Sequence, residues 1–327
     1  MRKFKRLISA IVISFFLSQL ILPLWAATEI STWAELAAIS SGLAGDYVLV
    51  NDLDSESTGY DTYASSSANA GAGWSPIGFP SSDFTGTFDG AGYVISDIYV
   101  SRSGHLGLFR QTGTDALVKD LGIEDITVIN GGGSGKGSGA LVGYGLAGYG
   151  SVGGVYRCYA TGTITNVTAG SNWTGGMFGS SRGKVFDCYT NCTVTGVSRV
   201  GGFAGHAEEG SFNECFSYGA VSGSGSNIGG LVGSKNIGTA NYSFWDTQTS
   251  GQASSALGTG KTTAQMKDID TFIPVWDIVL KANHDGQQAT AVWYIDDGND
   301  YPRLWFEYDG GGTPETKNTT DWFMFLQ

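Results

Sequence analysis

A five-residue glycine box recurs four times in the middle of the 327-residue chain and constrains its fold more than any other feature. The box reads Gly-Gly-X-X-Gly, with alanine at its second position in the first copy. Its copies occupy Gly139–Gly143, Gly175–Gly179, Gly201–Gly205 and Gly229–Gly233. Their starts lie 36, 26 and 28 residues apart. Self-similarity at this period, with short β-prone runs between the glycines, is typical of a solenoid in which each repeat packs on the next.

An aromatic step follows the start of each box by 13 to 19 residues. The steps are Cys158-Tyr159, Cys188-Tyr189, Cys215-Phe216 and Ser243-Phe244-Trp245. Because the three cysteines occupy the same position of successive repeats, we expect them to form an inward ladder of buried thiols, a poor geometry for disulfides. Cys192 lies outside this ladder and is the one good candidate for pairing.

The strand before the second cysteine illustrates the expected core pattern. Residues Val185 to Tyr189 alternate, which predicts Phe186 and Cys188 in the core and Val185, Asp187 and Tyr189 on the other face. Glycines are expected where the chain turns with positive φ or where two backbones approach closely.

The N-terminus has the pattern of a signal peptide over residues 1–27. Four basic residues precede an apolar run from Leu7 to Leu22, and Ala26-Ala27 offers small residues for cleavage. An uncleaved signal anchor is the alternative, because the run is nearly long enough to span a bilayer. Without residues 1–27 the chain carries 14 Lys and Arg against 30 Asp and Glu, a formal charge of −16. This balance disfavours nucleic acid and anionic lipid surfaces as partners.

The rest of the chain divides into four predicted regions. Residues 28–45 form an N-terminal capping helix that opens with a capping box at Thr32–Glu35. Residues 46–250 form the repeats, with a loop at 55–73. Residues 251–309 form an aromatic-rich cap that closes the last repeat, since an open strand end invites aggregation. Residues 310–327 form a flexible tail whose apolar tip has no assigned role.

The box and the downstream run Cys158–Gly162, which reads Cys-Tyr-Ala-Thr-Gly, resemble the GLUG-motif repeats of bacterial surface proteins. Further resemblances cover roughly residues 30 to 306; they are Trp74–Gly78, Phe84–Gly90, Phe244–Asp246, Gly258–Thr263 and Tyr301–Leu304. The resemblance implies an all-β fold, a right-handed parallel β-helix, on an exported or cell-surface protein. Relatives include adhesins of the filamentous haemagglutinin type and non-catalytic regions of immunoglobulin-A-cleaving metallopeptidases. It implies no catalytic residue.

Two short motifs do not carry the chemistry that they suggest. Gly258–Thr262 resembles a phosphate-binding loop, but Ser255 stands where the pattern requires its first glycine, so a helix N-cap is the prediction. The histidines His105, His206 and His284 lack the spacing of a zinc peptidase.

Acidic loops and aromatic residues at turns remain as candidate binding features. The acids are Asp52, Asp54, Glu56, Asp296, Asp297 and Asp300, for which solvated turn residues are the first interpretation and one structural Ca²⁺ the alternative. The aromatic residues are Tyr144, Tyr149, Trp173 and Tyr218. A sugar ring could stack on them, but packing of the rings on one another is the preferred interpretation.

These features favour a non-catalytic exported or cell-surface protein that binds a glycan or a protein, with no cofactor, no metal, no nucleic acid partner and no membrane contact beyond the signal segment. One alternative is a polysaccharide hydrolase or lyase, for which the only clustered acids are Asp187, Glu208, Glu209 and Glu214. Another is a structural spacer of a larger surface protein. The visible insertion, in the 36-residue interval, is rich in glycine rather than acids, which favours binding or a structural role over catalysis.

Overall fold

The computed structural model describes residues 26–133, 135–148, 153–167, 170, 172–283 and 291–308. Most of the predicted signal segment, the tail at 310–327, Tyr149 and His284 lie outside these residues. Within the described part of the chain, no helix combines the length and the apolar character that crossing a bilayer requires.

Short strands make up most of the described structure. They are β1 (Thr28–Ile30), β2 (Asp46–Leu49), β3 (Thr87–Asp89), β4 (Val94–Ser96), β5 (Tyr99–Arg102), β6 (Phe109–Thr112), β7 (Leu117–Asn130), β8 (Gly137–Ser138), β9 (Val142–Gly145), β10 (Gly154–Asn166), β11 (Trp173–Gly175), β12 (Phe178–Ser181), β13 (Lys184–Phe186), β14 (Tyr189–Gly196), β15 (Val200–Gly201), β16 (Ala204–Ala207), β17 (Ser211–Asn213), β18 (Phe216–Ser217), β19 (Val221–Gly223), β20 (Ile228–Gly229), β21 (Val232–Lys235), β22 (Thr239–Asn241), β23 (Phe244–Asp246), β24 (Thr259–Lys261), β25 (Ile278–Leu280), β26 (Trp293–Ile295) and β27 (Arg303–Leu304). The α-helices are α1 (Trp33–Ala38), α2 (Tyr60–Tyr63), α3 (Ala68–Gly71) and α4 (Thr263–Met266), and 3₁₀ turns occupy Ile39–Ser41, Ile269–Thr271, Lys281–Asn283 and Trp305–Glu307.

Three parallel sheets run through the repeats. The largest follows the order β1-β2-β3-β7-β10-β14-β18-β23-β24, with β4, β5, β13, β17, β19 and β22 paired beside this path. The second follows β6-β9-β12-β16-β21 and the third β8-β11-β15-β20. A small separate sheet joins β25, β26 and β27.

The glycine boxes occupy equivalent places in this arrangement. Each box links a strand of the third sheet to the following strand of the second, and its fourth residues Val142, Phe178, Ala204 and Val232 are register partners. Successive repeats therefore pair side by side and in parallel. The chain is all-β with long parallel sheets, which is compatible with the predicted β-helix.

Close approach of backbones explains the box glycines. A Cβ on Gly201 would lie 2.7 Å from the backbone nitrogen of Gly233, and a Cβ on Gly233 would lie 2.6 Å from that of Val200. No box glycine has the positive φ that glycine alone tolerates well. Lack of room for a side chain therefore explains the box glycines, and a positive φ does not.

A left-handed residue at one equivalent position of each repeat changes the predicted core pattern. These residues, called the left-handed column, have φ between 48° and 54° and are Asp120, Arg157, Asp187, Glu214 and Tyr242. A left-handed residue interrupts the two-residue alternation of a strand. Val185 and Cys188, on either side of Asp187, therefore both enter the core, while Phe186 is partly exposed and stacks on Tyr156. The prediction was correct for Cys188 and wrong for Val185 and Phe186.

The cysteine ladder is confirmed as a row of buried free thiols. The backbone N–H of Cys158 donates to Cys188 Sγ at 3.3 Å, and the N–H of Cys215 donates to Ser243 Oγ at 3.1 Å. Serine thus replaces cysteine in the last repeat with the same hydrogen-bond role. Cys192, the candidate for pairing, is also free and buried, with its thiol directed at the carbonyl of Ala160, so it forms no disulfide.

The N-terminal region contains more regular structure than expected. Thr32 caps α1 as predicted, because its Oγ1 accepts the Glu35 N–H at 3.3 Å. The Glu35 carboxylate accepts the N–H of Ser31 rather than that of Thr32. Strand β1 precedes α1 and pairs with β2, so residues 28–45 supply a strand as well as a helix. The predicted loop at 55–73 includes α2 and α3.

The described residues from 263 to 308, called the C-terminal flank, lie along the largest sheet. Tyr159, Tyr189, Phe216 and Phe244 are register partners on this sheet and form an apolar stripe. Trp293 packs on Tyr189 and Phe216, and Phe306 reaches back to Tyr159. The flank therefore covers several repeats from the side, whereas the sequence predicted that it closes the last one. Its first helix, α4, begins at the predicted N-cap Thr262.

Candidate functional site

Polar and aromatic side chains from four successive repeats meet where the second and third sheets run side by side. We call this cluster the Trp173 patch; its members are His105, Tyr144, Trp173, Arg182, His206 and Glu208. All are partly exposed except His206, which is 9% exposed.

The absence of a side chain at Gly137 lets the rings of His105 and Trp173 stack. The bridge between Leu106 and Ser138 places His105 beside Gly137, and Gly137 is the register partner of Trp173. The His105 and Trp173 rings have centroids 6.5 Å apart and planes only 4° from parallel. Because Gly137 offers no side chain, two rings two repeats apart can stack across it.

On the second sheet, the small side chain of Ser180 leaves space for the Trp173 ring between Tyr144 and His206. Tyr144, Ser180 and His206 are register partners on β9, β12 and β16. The Trp173 ring lies 6.2 Å from the Tyr144 ring and 6.0 Å from the His206 ring, with the latter pair 14° from parallel. Trp173 therefore joins the two sheets through aromatic contacts on both sides.

Glu208 is held in its charged form. Its carboxylate accepts hydrogen bonds from Arg182 and, at 2.8 Å, from the Tyr144 hydroxyl. The Arg182 hydrogen bond is the main reason that the pKa of Glu208 is lowered. Burial and the bond to Glu208 raise the pKa of Tyr144 to about 12. Glu208 is thus an ionised partner of Arg182 and is poorly suited to act as a general acid.

Both histidines of the patch are uncharged at neutral pH. Burial lowers the pKa of His105 to about 4, and the nearby charges of Lys136 and Arg110 add to this effect. Burial also lowers the pKa of His206. The Gly137 N–H donates to His105 Nδ1 at 3.0 Å, which leaves the proton of the neutral ring on Nε2. The imidazoles therefore serve as aromatic plates with hydrogen-bonding edges.

Buried polar atoms without partners concentrate at the same place. Within the described residues, Trp173 Nε1, Ser180 Oγ and Arg182 Nε are buried and make no hydrogen bond. All three belong to β11, β12 or the residue that follows β12. Native proteins satisfy nearly all buried polar groups, so such a concentration marks a place where a ligand or water completes the structure.

A second polar cluster joins Asp187 and Glu214 in adjacent repeats. Their carboxyl groups lie close enough to perturb each other's pKa, and Trp293 Nε1 donates to Asp187 Oδ1 at 3.0 Å. Burial raises the pKa of Asp187 to about 6 and that of Glu214 to about 7, and the nearby Asp187 charge adds to the rise at Glu214. Their raised pKa values leave the pair only partly ionised at neutral pH.

The structure thus separates the four acids that the sequence placed together. Asp187 and Glu214 occupy neighbouring positions of the left-handed column, whereas Glu208 belongs to the Trp173 patch and Glu209 follows it in the chain. They do not form one catalytic group.

A polar cavity of about 260 Å³ lies in the C-terminal flank. It is lined by Lys281, Tyr294, Asp296, Asp300, Tyr301, Arg303 and Glu307. Arg303 donates to the Tyr189 hydroxyl at 2.9 Å and pairs with Asp300 at 3.1 Å. Tyr189 in turn donates to Glu307 at 2.5 Å. These groups form hydrogen bonds and an ion pair with one another. The contacts attach the C-terminal flank to the largest sheet.

Tyr218 lies among the residues that attach the C-terminal flank to the largest sheet, and it is not on an exposed face. It is 8% exposed, and its ring lies 4.0 Å from that of Tyr301. For Tyr218 the preferred interpretation, packing of the rings on one another, is therefore confirmed, and the sugar-stacking alternative is excluded.

The acidic loop residues accept hydrogen bonds from backbone and side-chain groups. Asp54 Oδ1 accepts from Ser57 Oγ at 2.8 Å, Asp52 Oδ1 accepts the Val94 N–H at 2.8 Å, and Asp297 Oδ1 accepts the Ile269 N–H at 2.9 Å. The Asp54 bond lies within a turn, whereas Asp52 and Asp297 bond to the backbone of segments 42 and 28 residues away. No group of three or more His, Cys, Asp or Glu side chains in the described ranges is placed to hold a metal ion.

Sequence reasoning singled out Trp173 and Tyr144 but missed the two histidines beside them. His105 and His206 lie 101 residues apart. A signal was present in the boxes: Tyr144, Ser180, His206 and Ser234 each follow the last glycine of a box by one residue. Aligning the repeats on that glycine places these side chains in one row.

No protein-family model matches the sequence. The chain is 31% identical over 338 residues to halomucin of Haloquadratum walsbyi, an alignment that covers 89% of this chain and 3% of halomucin. It is 35% identical over 109 residues to an Evansella cellulosilytica protein provisionally named a Gly-rich membrane protein, covering 32% of this chain and 11% of that protein. The chain thus spans only a small part of the curated relatives that it matches.

The fold is similar to that of a crystal structure from Bacteroides ovatus provisionally named an immunoglobulin A1 protease. The TM-score is 0.61 at 18% sequence identity, with 86% of this chain and 92% of that chain covered. At this identity the likeness concerns the fold alone.

Proposed function

We propose that this chain is a non-catalytic exported or cell-surface protein that binds a glycan or a protein. We further propose that its boxes are GLUG-type repeats and that they wind into a right-handed parallel β-helix. The in-register parallel pairing of successive repeats supports this architecture. Similarity to halomucin and to a Gly-rich membrane protein, together with the signal-like N-terminus, supports a location outside the cytoplasm.

The Trp173 patch is the observation that carries the binding proposal. It combines partly exposed aromatic rings with buried polar atoms that lack partners, the combination that characterises ligand sites. The patch lies on two parallel sheets, and residues fixed on strands hold a binding geometry better than residues on loops.

A hydrolase is the second candidate, and the raised pKa values of the neighbouring Asp187 and Glu214 favour it. Perturbed carboxyl groups are common at catalytic sites, although structural pairs perturb one another as well. The bond from Trp293 to Asp187 favours the structural role.

The test presents the chain from residue 28 onward to a panel of immobilised polysaccharides and glycoproteins. Retention is measured together with released sugar ends and released peptides. The binding proposal predicts retention of an intact ligand. Cleavage that is lost in Glu214→Gln or Glu208→Gln, but retained in the matched control Glu209→Gln, would establish the enzyme instead.

A further inference from the structure

We propose that the Trp173 patch binds an acidic glycan, a sugar polymer that carries carboxylate or sulfate groups. This inference rests on the proposed binding function and specifies the class of its ligand.

The patch itself is neutral, because Arg182 offsets Glu208 and both histidines are uncharged, but two cations flank it. The charge of Glu209 also acts on Tyr144 and Arg182. The full chain has a formal charge of −12. Lys136 precedes Gly137, at the point where the His105 and Trp173 rings meet, and Arg199 stands beside Trp173 in the neighbouring repeat. Lys136 and Arg199 are close enough to the patch for their charges to help lower the pKa values of His105 and His206, respectively.

These two cations differ from the other charged groups nearby. Arg182 pairs with Glu208 and Arg110 pairs with Asp83, but the described residues include no ion-pair partner for Lys136 or Arg199. Both side chains belong to partly exposed residues. A ligand with negative charge would neutralise them without displacing any existing pair, whereas a neutral ligand would leave them unpaired.

The hydrogen-bonding groups of the patch are mainly donors. Arg182 Nε and Trp173 Nε1 have no acceptor, and the neutral His105 ring carries its proton on Nε2. The Arg182 side chain is 33% exposed, so its guanidinium reaches the surface although Nε is covered. Carboxylate and sulfate oxygens are acceptors that form short, strong bonds with such donors. The aromatic edges beside them suit the apolar faces of a sugar ring.

The length of the patch favours a polymer over a small anion. Its residues come from four successive repeats, which are three strand spacings of about 4.8 Å, or about 14 Å in total. Cations at separate repeats can contact charges on separate sugar units, which a single carboxylate cannot provide.

The experiment uses matched polymers that differ in charge. The chain from residue 28 is tested for binding to polygalacturonate and to its fully methyl-esterified form, and to dextran sulfate and to plain dextran. We expect at least one charged polymer to bind about tenfold or more tightly than its neutral match, and binding to weaken as sodium chloride is raised. Preference for polygalacturonate would assign carboxylate recognition, and preference for dextran sulfate would assign sulfate recognition.

Variants locate the binding on the patch. Lys136→Gln with Arg199→Gln removes the two unpaired charges and is expected to weaken binding to the charged polymer about tenfold or more. Lys267→Gln removes one charge from the C-terminal flank and is expected to leave binding unchanged. Circular dichroism checks that each variant folds. If the double variant is unfolded, Lys136→Gln alone is used, and it must still weaken binding.

The outcomes separate this inference from the proposed function. Equal binding of charged and neutral polymers, or full binding by the patch variant, would overturn the acidic-glycan inference. If the chain binds only neutral glycans or glycoproteins, the proposed function stands and the inference fails. If it binds no member of either panel, both fail.

Discussion

Single glycines decide how closely the second and third sheets can approach. The last glycine of each box faces the backbone of the neighbouring sheet, and a Cβ there has nothing flexible to displace. At Gly205 the nearest atoms to such a Cβ are all backbone, including Arg199 O at 2.7 Å and Gly179 O at 2.8 Å. The recurrence of glycine at this position is therefore a packing requirement that the sequence displays directly.

Gly205→Ala is expected to lower the free energy of unfolding by about 1–3 kcal/mol, because the added methyl group must push two backbones apart. The matched control is Gly131→Ala, where a Cβ would meet nothing within 4 Å. The control should stay within about 0.5 kcal/mol of the unmodified chain. Urea denaturation measures both, and equal stability of the two variants would show that the sheets are not in close contact at the box.

The four cysteines are expected to be unreactive in the folded chain. Burial raises the pKa of Cys158, Cys188 and Cys192, and the thiolate is the reactive form. A thiol reagent such as dithionitrobenzoate should therefore label none of the cysteines until denaturant is added, and should then label all four. Fewer than four labelled thiols after unfolding without reductant would indicate a disulfide and contradict the ladder.

At the scale of the strand, the sequence predicted which segments are strands better than it predicted their inner faces. Alternation is a reliable guide only while every residue has extended φ and ψ. The left-handed column breaks that condition once per repeat, at residues such as Asp187 and Glu214, for which φ is 54°. Aspartate is enriched in the left-handed region but still adopts negative φ far more often, so the local sequence could not show that Val185 lies inside and Phe186 outside.

The Asp187–Glu214 pair makes stability depend on pH in a known direction. Folding raises both pKa values, to about 6 and about 7. In unfolded chains such groups have pKa values of about 4, so the folded state binds more protons between about pH 4 and pH 7. The contribution of the pair to the free energy of unfolding is therefore complete below about pH 4 and is lost as pH rises to about 7.

Glu214→Gln removes one titrating group and keeps a hydrogen-bond donor for Asp187. We expect the variant to be about 1–2 kcal/mol more stable than the unmodified chain at pH 8 and to lose this advantage at pH 4. Urea denaturation at the two pH values gives the difference in unfolding free energy between the variant and the unmodified chain. Contributions of other titrating groups, such as Glu307 and His105, cancel in this difference. A difference that is the same at both pH values would show that the two carboxyl groups are not coupled.

At the scale of the whole molecule, the repeats follow from the sequence, whereas the contacts between distant segments do not. Periodicity shows which residues occupy equivalent positions, and it placed the cysteine ladder correctly. The bond between Tyr189 and Glu307 joins residues 118 positions apart, and no repeat relates them. The lateral position of the C-terminal flank and the meeting of His105 with His206 around Trp173 both depend on such contacts.

Similarity to known proteins adds fold information but does not assign the activity. The solved structure that resembles this chain is 18% identical to it, and halomucin is matched over only 3% of its length. We therefore propose that a ligand binds on the Trp173 patch, away from the Asp187–Glu214 pair and from the C-terminal flank.

Hydrogen–deuterium exchange with and without the bound acidic glycan tests that claim most directly. The account predicts slower exchange in the segments that border the patch, at residues 131–133, 182–183, 197–199 and 208–210. It predicts unchanged exchange around Asp187, Glu214 and residues 291–308. Protection centred on Asp187 and Glu214, or on the flank cavity, with no change at the patch would contradict it and place the functional site elsewhere on the molecule.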